Sequence, residues 1–185
     1  PDLDVLWRSY EHKVRKNVNR ARREGLEFEL DSTGETMAEF EAIYEATMER
    51  REAAESYRFA GDFFTRIREE LGGSFVVAGV RDAGKLVSTE LALVAGDKVY
   101  SFLGGTLQEA FPKRPNDLLK HELISWSKAA GKNYFVLGGG YGSDDGIFRY
   151  KASFAPGGQL PFSTWRYVVD DDSYTDLIAR RKATS

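Results

Sequence analysis

The sequence contains no cysteine and only two histidines, His12 and His121. The absence of cysteine excludes disulfide scaffolds, thiolate metal sites and cysteine nucleophiles, and it fits a reducing, cytoplasmic compartment. Two histidines are too few for a three-histidine zinc site, and they supply a Ser-His-Asp triad poorly. Neither has an acidic or histidine companion at metal-ligand spacing, so both are interpreted as structural or surface groups and no metal site is predicted.

Long apolar runs are also missing. No run approaches the roughly 18 residues of a membrane span, and the start lacks the charged and apolar regions of a signal peptide. The 185 residues are 42% hydrophobic, which is enough for a packed core. No repeat or internal linker divides them, so residues 1–185 are predicted to form one domain. Because the chain begins with Pro1 rather than Met, we expect it to be a piece of a longer protein.

Basic residues are concentrated at the amino end. Residues 1–25 hold seven Lys and Arg against four Asp and Glu, a formal charge of +3, so the remainder carries −6 of the total of −3. The near-neutral total excludes an obligate nucleic-acid coat protein or a polybasic membrane anchor. The basic segment can contact an anionic partner such as tRNA, or it can be a solvated helix face. Both interpretations stay open.

Hydrophobic periodicity predicts a mixed α/β fold. Apolar residues at spacings of three and four predict helices over 4–24, 37–54, 61–71, 117–130 and 173–181. Alternating or continuous apolar runs predict strands over 26–30, 74–81, 86–95, 98–103, 134–137 and 162–169.

Tight turns make the middle three strands an antiparallel meander, and the helix that follows lets strand 134–137 return parallel to a neighbour. That strand is almost wholly apolar, so it is predicted to be central. The expected result is a mixed, mostly antiparallel sheet with helices on both faces, and a cleft where strand direction changes.

A glycine-rich loop over 138–146 follows this strand. Its sequence GGGYG lacks the dinucleotide pattern, but glycines such as Gly139 let a backbone approach a ligand closely, unless the loop is simply a flexible surface turn. Lys151 follows among aromatic residues, where its ammonium can stabilise an oxyanion or a phosphate. Considered alone, however, Lys151 is interpreted as a lysine on an amphipathic turn.

Two further stretches offer cations. The loop 104–116, with Gly104, Arg114 and Asn116, leads into the predicted helix 117–130, whose amino terminus can attract an anion. Asn116 or Asp117 is predicted to cap that helix.

Arg50 and Arg51 close the helix 37–54 ahead of Tyr57, and two adjacent arginines can clamp a diphosphate. Glu90 lies in an otherwise apolar strand and is predicted to face solvent, with a base in the cleft as the alternative.

These features together resemble the GNAT acyltransferases, and two segments resemble the Fem peptidyltransferases among them. Residues 15–25, RKNVNRARREG, are similar to the basic Fem helix R-x-x-I-R-K-A-x-x-x-G. Residues 145–154, DGIFRYKASF, are similar to the Fem segment D-G-(I/L)-x-x-F-K-x-x-F. The segments occur in family order, with a matching strand, loop and helix between them.

The Fem resemblance implies an aminoacyl transfer from aminoacyl-tRNA to a peptidoglycan precursor, with no bound cofactor. It implies that Lys151 is the functional lysine, with Tyr150 beside it in the aromatic position. It implies that Arg50 or Arg51 contacts the precursor's diphosphate and that Tyr100 lines the acceptor site. Lys151 and backbone N–H groups near Gly104 and Gly139 are then the candidates for stabilising the oxyanion.

The chain also departs from that pattern. Fem enzymes have two GNAT-like domains, whereas this chain has room for one, which resembles the second, so a further GNAT-like domain is expected in a parent chain. GNAT relatives that use acyl-CoA are an alternative, although residues 110–115 lack the glycines of their pyrophosphate loop. The remaining alternative is a domain that binds a precursor or a partner protein without catalysis.

Overall fold

The computed structural model describes residues 2–59, 61–140 and 145–183, and its centre is a five-stranded sheet. The strands are β1 Glu27–Asp31, β2 Phe75–Asp82, β3 Lys85–Ala95, β4 Lys98–Thr106 and β5 Tyr134–Val136. They lie in the order β1-β2-β3-β4-β5, with the first four antiparallel and β5 parallel to β4. The predicted meander and the parallel return are therefore confirmed.

The helices of the described residues surround this sheet or extend from it. They are α1 Leu3–Ser9, α2 His12–Arg23, α3 Met37–Arg50, α4 Phe63–Glu70, α5 Pro115–Ala129, α6 Gly146–Ala152 and α7 Asp171–Ala183. Short 3₁₀ helices cover Glu55–Tyr57 and Gln108–Lys113. None of these helices is long and apolar enough to cross a membrane.

The sheet is buried on both faces. Along β2, Val76, Ala78 and Val80 pack with α2 and α5, whereas Phe75 and Val77 pack with α3 and α4. This division follows from the two-residue period of a strand, which sends successive side chains to opposite faces. The predicted mixed fold with helices on both faces is thus confirmed.

The first helix is interrupted, which the periodicity did not predict. Tyr10 adopts an extended backbone conformation between α1 and α2, and its ring is buried against His121 and Phe154. A distant part of the chain stabilises the break, because Glu11 N–H donates to the carbonyl of Ser153 at 2.9 Å. Burial of one aromatic ring therefore replaces a continuous helix over 4–24 with two segments.

The prediction that strand 134–137 is central was wrong. Among the described strands β5 pairs only with β4, so it forms an edge, and Tyr134 is 58% exposed. A run of three or four apolar residues fits a central strand or an edge strand equally well, because it is too short to show which face is wet.

The predicted strand over 162–169 is also absent. These residues form no strand in the described structure, and Phe162, Trp165 and Tyr167 are almost fully exposed. The composition favours a strand, but no described strand lies alongside it to complete a hydrogen-bonded ladder. The residues that follow the glycine-rich loop form α6, whose first turn is capped by Asp145 accepting from Phe148 N–H at 2.7 Å.

The helix α5 begins earlier than expected and with a different cap. Arg114 is the residue before its first turn and adopts a left-handed conformation with φ of 63°, followed by Pro115 at the first helical position. Proline suits that position because its missing N–H would have no helical partner. Asn116 and Asp117 therefore lie inside the helix, and the prediction that one of them is the cap was wrong.

We expect His121 to make the protein less stable in mild acid. The ring is buried against Trp7 and Tyr10, and its Nδ1 has no hydrogen-bond partner among the described residues. Burial is the largest cause and lowers the pKa of His121 below its ordinary 6.5, while the charge of Glu122 opposes the shift and the smaller effect of Arg22 adds to it. Below pH 6.5 the unfolded chain therefore binds more protons than the folded one, and the free energy of unfolding falls until the lowered pKa is reached.

Urea unfolding at pH 7.5 and 5.5 measures this loss. His121→Leu is expected to reduce the difference between the two pH values, whereas His12→Gln, on an exposed side chain, leaves it unchanged. An unaltered pH dependence in His121→Leu would contradict the assignment.

Candidate active site

A cavity opens where the two parallel strands part. β4 and β5 pair only over Lys98–Tyr100 and Tyr134–Val136, after which β4 continues to Thr106 while the chain leaves β5 through Gly138, at a φ of 71°. The cavity has a volume of about 630 Å³. Its walls come from the carboxyl end of α3, from β4, from the start of α5 and from the glycine loop and α6. Sequence-predicted site residues in these walls are Arg50, Arg51, Tyr57, Gly104, Arg114, Asn116, Gly139, Tyr150 and Lys151.

Lys151 lies on α6 and reaches across to the glycine loop. Its Nζ donates to the carbonyl of Gly139 at 2.7 Å. Burial, then the positive charge of Lys120, lowers the pKa of Lys151, while Glu90 and Asp145 oppose the shift. The ammonium is thus held at the cavity wall, in surroundings that partly disfavour its protonated form. Residues 141–144 of the predicted loop lie outside the described residues.

Tyr150 joins α6 to the start of α5. Its hydroxyl donates to the carbonyl of Asn116 at 3.1 Å. Burial, and then the negative charges of Asp117 and Glu90, raises the pKa of Tyr150 well above its ordinary value. The phenol therefore stays protonated at neutral pH, and its described contact is a bond that fixes Lys151 relative to α5.

The carboxyl end of α3 is held against β4 by a glycine. A Cβ at Gly105 would lie 2.7 Å from the backbone oxygen of Ile43 and from Oγ1 of Thr47, so only glycine permits this approach. Thr47 Oγ1 also accepts from Thr106 N–H at 3.2 Å. This contact brings Arg50 to the cavity, where it donates to the carbonyl of Thr106 at 3.0 Å and lies 5.1 Å from the ring centre of Phe111.

The predicted residue Tyr100, and Lys113 in the loop 104–116, both lie outside the cavity wall. Lys113, the neighbour of Arg114, pairs with Asp82 at 2.6 Å and is not part of the cavity wall. Tyr100 on β4 does not line the cavity either, and its ring is 36% exposed. The part of β4 that lines the cavity is instead 101–106.

The prediction that Glu90 faces solvent was wrong. Glu90 is 5% exposed and lines the cavity, opposite Ala78 and Gly104 in the sheet register, so it points to the α5 side. There its Oε2 accepts a hydrogen bond from Lys120, which is 3% exposed and also donates to Ser101 Oγ at 2.7 Å. Sequence reasoning missed Lys120, although its position on the inward face of α5, four residues before Ile124, was a usable signal.

The cavity is positively charged although the chain is negative. Among the described residues, five cationic side chains line it against the acidic Glu90 and Asp117, so this described wall has a formal charge of +3 in a chain of −3. The cations are Arg50, Arg51, Arg114, Lys120 and Lys151. A concave site with this excess of positive charge concentrates anionic ligands.

Comparisons with known proteins agree with this architecture. The sequence signature described as "Acetyltransferase (GNAT) domain" matches residues 8–152. The UDP-N-acetylmuramoylpentapeptide-lysine N(6)-alanyltransferase of Weissella viridescens is 22% identical over 182 residues, which are 96% of this chain and 53% of that protein. The chain therefore spans about half the length of this curated relative.

The fold of this chain resembles those of solved structures. The crystal structure of FemX matches 83% of this chain and 56% of its own with a TM-score of 0.66 and 16% identity. An aminoglycoside acetyltransferase from an uncultured soil metagenomic sample matches 78% of this chain and 97% of its own, with a TM-score of 0.61 and 13% identity. Together with the alanyltransferase they confirm the Fem and GNAT resemblance predicted from the sequence. Because the signature extends over most of the chain, the protein belongs to the family of GNAT acetyltransferase domains.

Proposed function

We propose that the chain is an acyltransferase domain that moves an aminoacyl group from aminoacyl-tRNA to a primary amine of a peptidoglycan precursor. The observation that carries the proposal is the +3 cavity beside Lys151, since both substrates are anionic at the parts that must be held. Phosphates of the tRNA end and the diphosphate of a nucleotide-linked precursor match arginines in particular, whose planar forks bind phosphate oxygens in pairs.

The proposed reaction needs positioning and charge stabilisation rather than a covalent enzyme intermediate. The neutral amine attacks the ester carbonyl and forms the new C–N bond. The ester C–O bond then breaks, and the ribose oxygen leaves with a proton that the amine gives up. Negative charge collects on the carbonyl oxygen in between, and the ammonium of Lys151 is the group we assign to stabilise it.

Acyl-CoA is the alternative donor, and its pyrophosphate would meet the same cations. The segment ahead of α5 is the 3₁₀ helix Gln108–Lys113, which contains no glycine and so offers no glycine-rich turn for a pyrophosphate. This favours aminoacyl-tRNA. The chain is proposed as one domain, corresponding to about half the length of the curated relative. The assay therefore uses this chain by itself.

Product analysis separates these functions. The purified chain is incubated with alanyl-tRNA and UDP-N-acetylmuramoyl-pentapeptide, and in parallel with acetyl-CoA and the same acceptor, and the products are read by mass spectrometry. Alanylated precursor supports the proposal, and acetylated precursor alone supports the acyl-CoA alternative. Binding of the precursor by calorimetry without product from either donor would identify a binding domain and overturn the proposal.

We expect the cavity arginines to bind the anionic part of the precursor. Arg51→Gln and Arg114→Gln should each weaken binding of UDP by about ten-fold, since each removes a charge-assisted contact, and added salt should weaken binding to the unaltered protein. Calorimetric titration measures both effects. Arg66→Gln is the matched control, because Arg66 lies on α4 outside the cavity and pairs with Glu70. Equal affinities in all four proteins would contradict this role.

A further inference from the structure

The ion pair of Glu90 and Lys120 is unusual for its depth and its position. The side chains are only 6% and 4% exposed, yet both belong to the cavity wall. Burying two charges costs several kcal/mol per ion, which their mutual attraction offsets only when the remaining donors and acceptors are also satisfied. Lys120 meets part of this condition through its second bond, to Ser101. Glu90 does not.

One carboxylate oxygen of Glu90 lacks a donor. Oε2 accepts from Lys120, whereas Oε1 is buried and has no hydrogen-bond partner among the described residues. A buried charged acceptor without a partner is destabilising, because the hydrogen bonds that it made to water are lost and not replaced. Gly104 lies directly opposite Glu90 on β4 and also lines the cavity, so no side chain from that position covers the carboxylate.

The two acidic side chains of the described cavity wall differ in their hydrogen bonds. The other acidic side chain of the described cavity wall, Asp117, accepts through Oδ1 from Asn17 Nδ2 at 3.2 Å. Of the two, Glu90 is the carboxylate with a buried oxygen that lacks a partner among the described residues. Its charge opposes the lowering of the pKa of Lys151 and adds to the raised pKa of Tyr150, which indicates that it lies at the same end of the cavity as these residues.

We propose that Oε1 of Glu90 accepts a hydrogen bond from a primary amino group of the ligand, and that Lys120 positions the carboxylate for this contact. The contact directs an N–H of the amino group toward Oε1, which is an acceptor only. This inference deepens the proposed function, since that reaction supplies two such groups. One is the acceptor's side-chain amine, and the other is the α-amino group of the aminoacyl donor.

Small ligands distinguish the two sources without any turnover. Nα-acetyl-lysine amide is compared with its Nε-acetylated form to represent the acceptor, and alanine methyl ester with lactic acid methyl ester to represent the donor. Each is titrated into the full chain and followed by amide NMR shifts. In the unaltered protein we expect the amine of one pair to bind about five- to ten-fold more tightly than its blocked counterpart. The pair that shows this preference identifies the source.

Glu90→Gln tests the residue at nearly constant shape. With its amide oxygen toward Lys120, glutamine presents an NH₂ donor where Oε1 stood, so the preference for the amine should fall to about one. If that variant does not fold, the apolar pair Glu90→Leu with Lys120→Met provides the same test, because a buried ion pair can often be replaced by apolar residues without loss of fold.

The result that overturns the inference is a preference unchanged in the folded variant, or no preference in either ligand pair. Either outcome would leave water as the partner of Oε1. Failure of the proposed function is a separate result, because these titrations need no acyl transfer. A protein that prefers the amine through Glu90 yet forms no product would retain the inference and lose the proposed reaction.

Discussion

Replacing Lys151 by methionine is expected to lower the rate of acyl transfer by about 10²–10³-fold while the fold survives. An interaction that stabilises developing oxyanion charge in a closed site is typically worth that much. The fold should tolerate the change, since Lys151 is half-buried on the short helix α6 and its described hydrogen bond goes to the carbonyl of Gly139 in a loop. Methionine retains the apolar stem and removes the charge together with the hydrogen bond to Gly139.

The pH profile separates a charge role from a packing role. Because burial and then the charge of Lys120 lower the pKa of Lys151, the protonated form is lost at a lower pH than for an exposed lysine. The rate should therefore rise with pH while the attacking amine is deprotonated and fall again as Lys151 loses its proton. Lys151→Arg stays charged throughout and should remove the alkaline fall, even if its absolute rate is lower.

Lys182→Met is the matched control, because that lysine lies exposed on α7, outside the cavity. Steady-state transfer rates, with circular dichroism to verify folding, measure all three variants. A folded Lys151→Met protein with an unchanged rate would exclude the assigned role.

The meander illustrates what local pattern alone can predict. The turns at 82–85 and 96–97 are short and carry the residues that tight turns need, so they fix antiparallel neighbours and their approximate register. The helix that follows allows a parallel return because its length spans the sheet. Consequently the strand order through β4, and the position of the cavity where β4 and β5 separate, could be predicted from the sequence.

The orientation of Glu90 was not within reach, for a physical reason. Alternation assigns residues to two faces, but it identifies the wet face only when one face is polar. β3 is covered on both faces, so nothing in its sequence distinguishes the α5 side from the α3 side. A register irregularity between Leu91 and Ala92 shifts the pairing further. The partner, Lys120, is 30 residues away in sequence, and only the packing of α5 on the sheet brings the two together.

The wrong predictions for the helix over 4–24 and for the strand over 134–137 have a shared cause. The break at Tyr10 depends on a contact with Ser153 and Phe154, and the edge position of β5 depends on which strands lie beside it. Both are long-range relations that a window of neighbouring residues does not contain. The predicted site residues on α3, α5 and α6 nevertheless line one cavity. They could be proposed from the sequence because cations next to glycines and aromatics at element ends are a local pattern.

Breaking the buried ion pair from one side is expected to destabilise the protein strongly. Lys120→Met leaves the carboxylate of Glu90 in the core without its partner, and a loss of about 3–5 kcal/mol in the free energy of unfolding is expected. Glu90→Leu should cost a similar amount, because it strands the ammonium of Lys120. Globular domains have only about 5–15 kcal/mol in total, so either change threatens the folded state.

Changing both residues together should restore most of that stability. Glu90→Leu with Lys120→Met removes both charges and their desolvation, so the double variant is expected to be far more stable than the sum of the single losses predicts. Urea unfolding of the four proteins gives the coupling energy. The exposed pair of Arg66 and Glu70 on α4, altered in the same way, should show no measurable coupling.

Strictly additive losses at Glu90 and Lys120 would mean that the pair is not coupled in the folded state. If the double variant is coupled and folds, but no longer distinguishes an amine from its blocked form, the ion pair serves ligand binding rather than stability. Apolar residues at these two positions would then be as stable as the charges. The charges would be retained because a free carboxylate oxygen at the cavity wall is needed to bind the amino group.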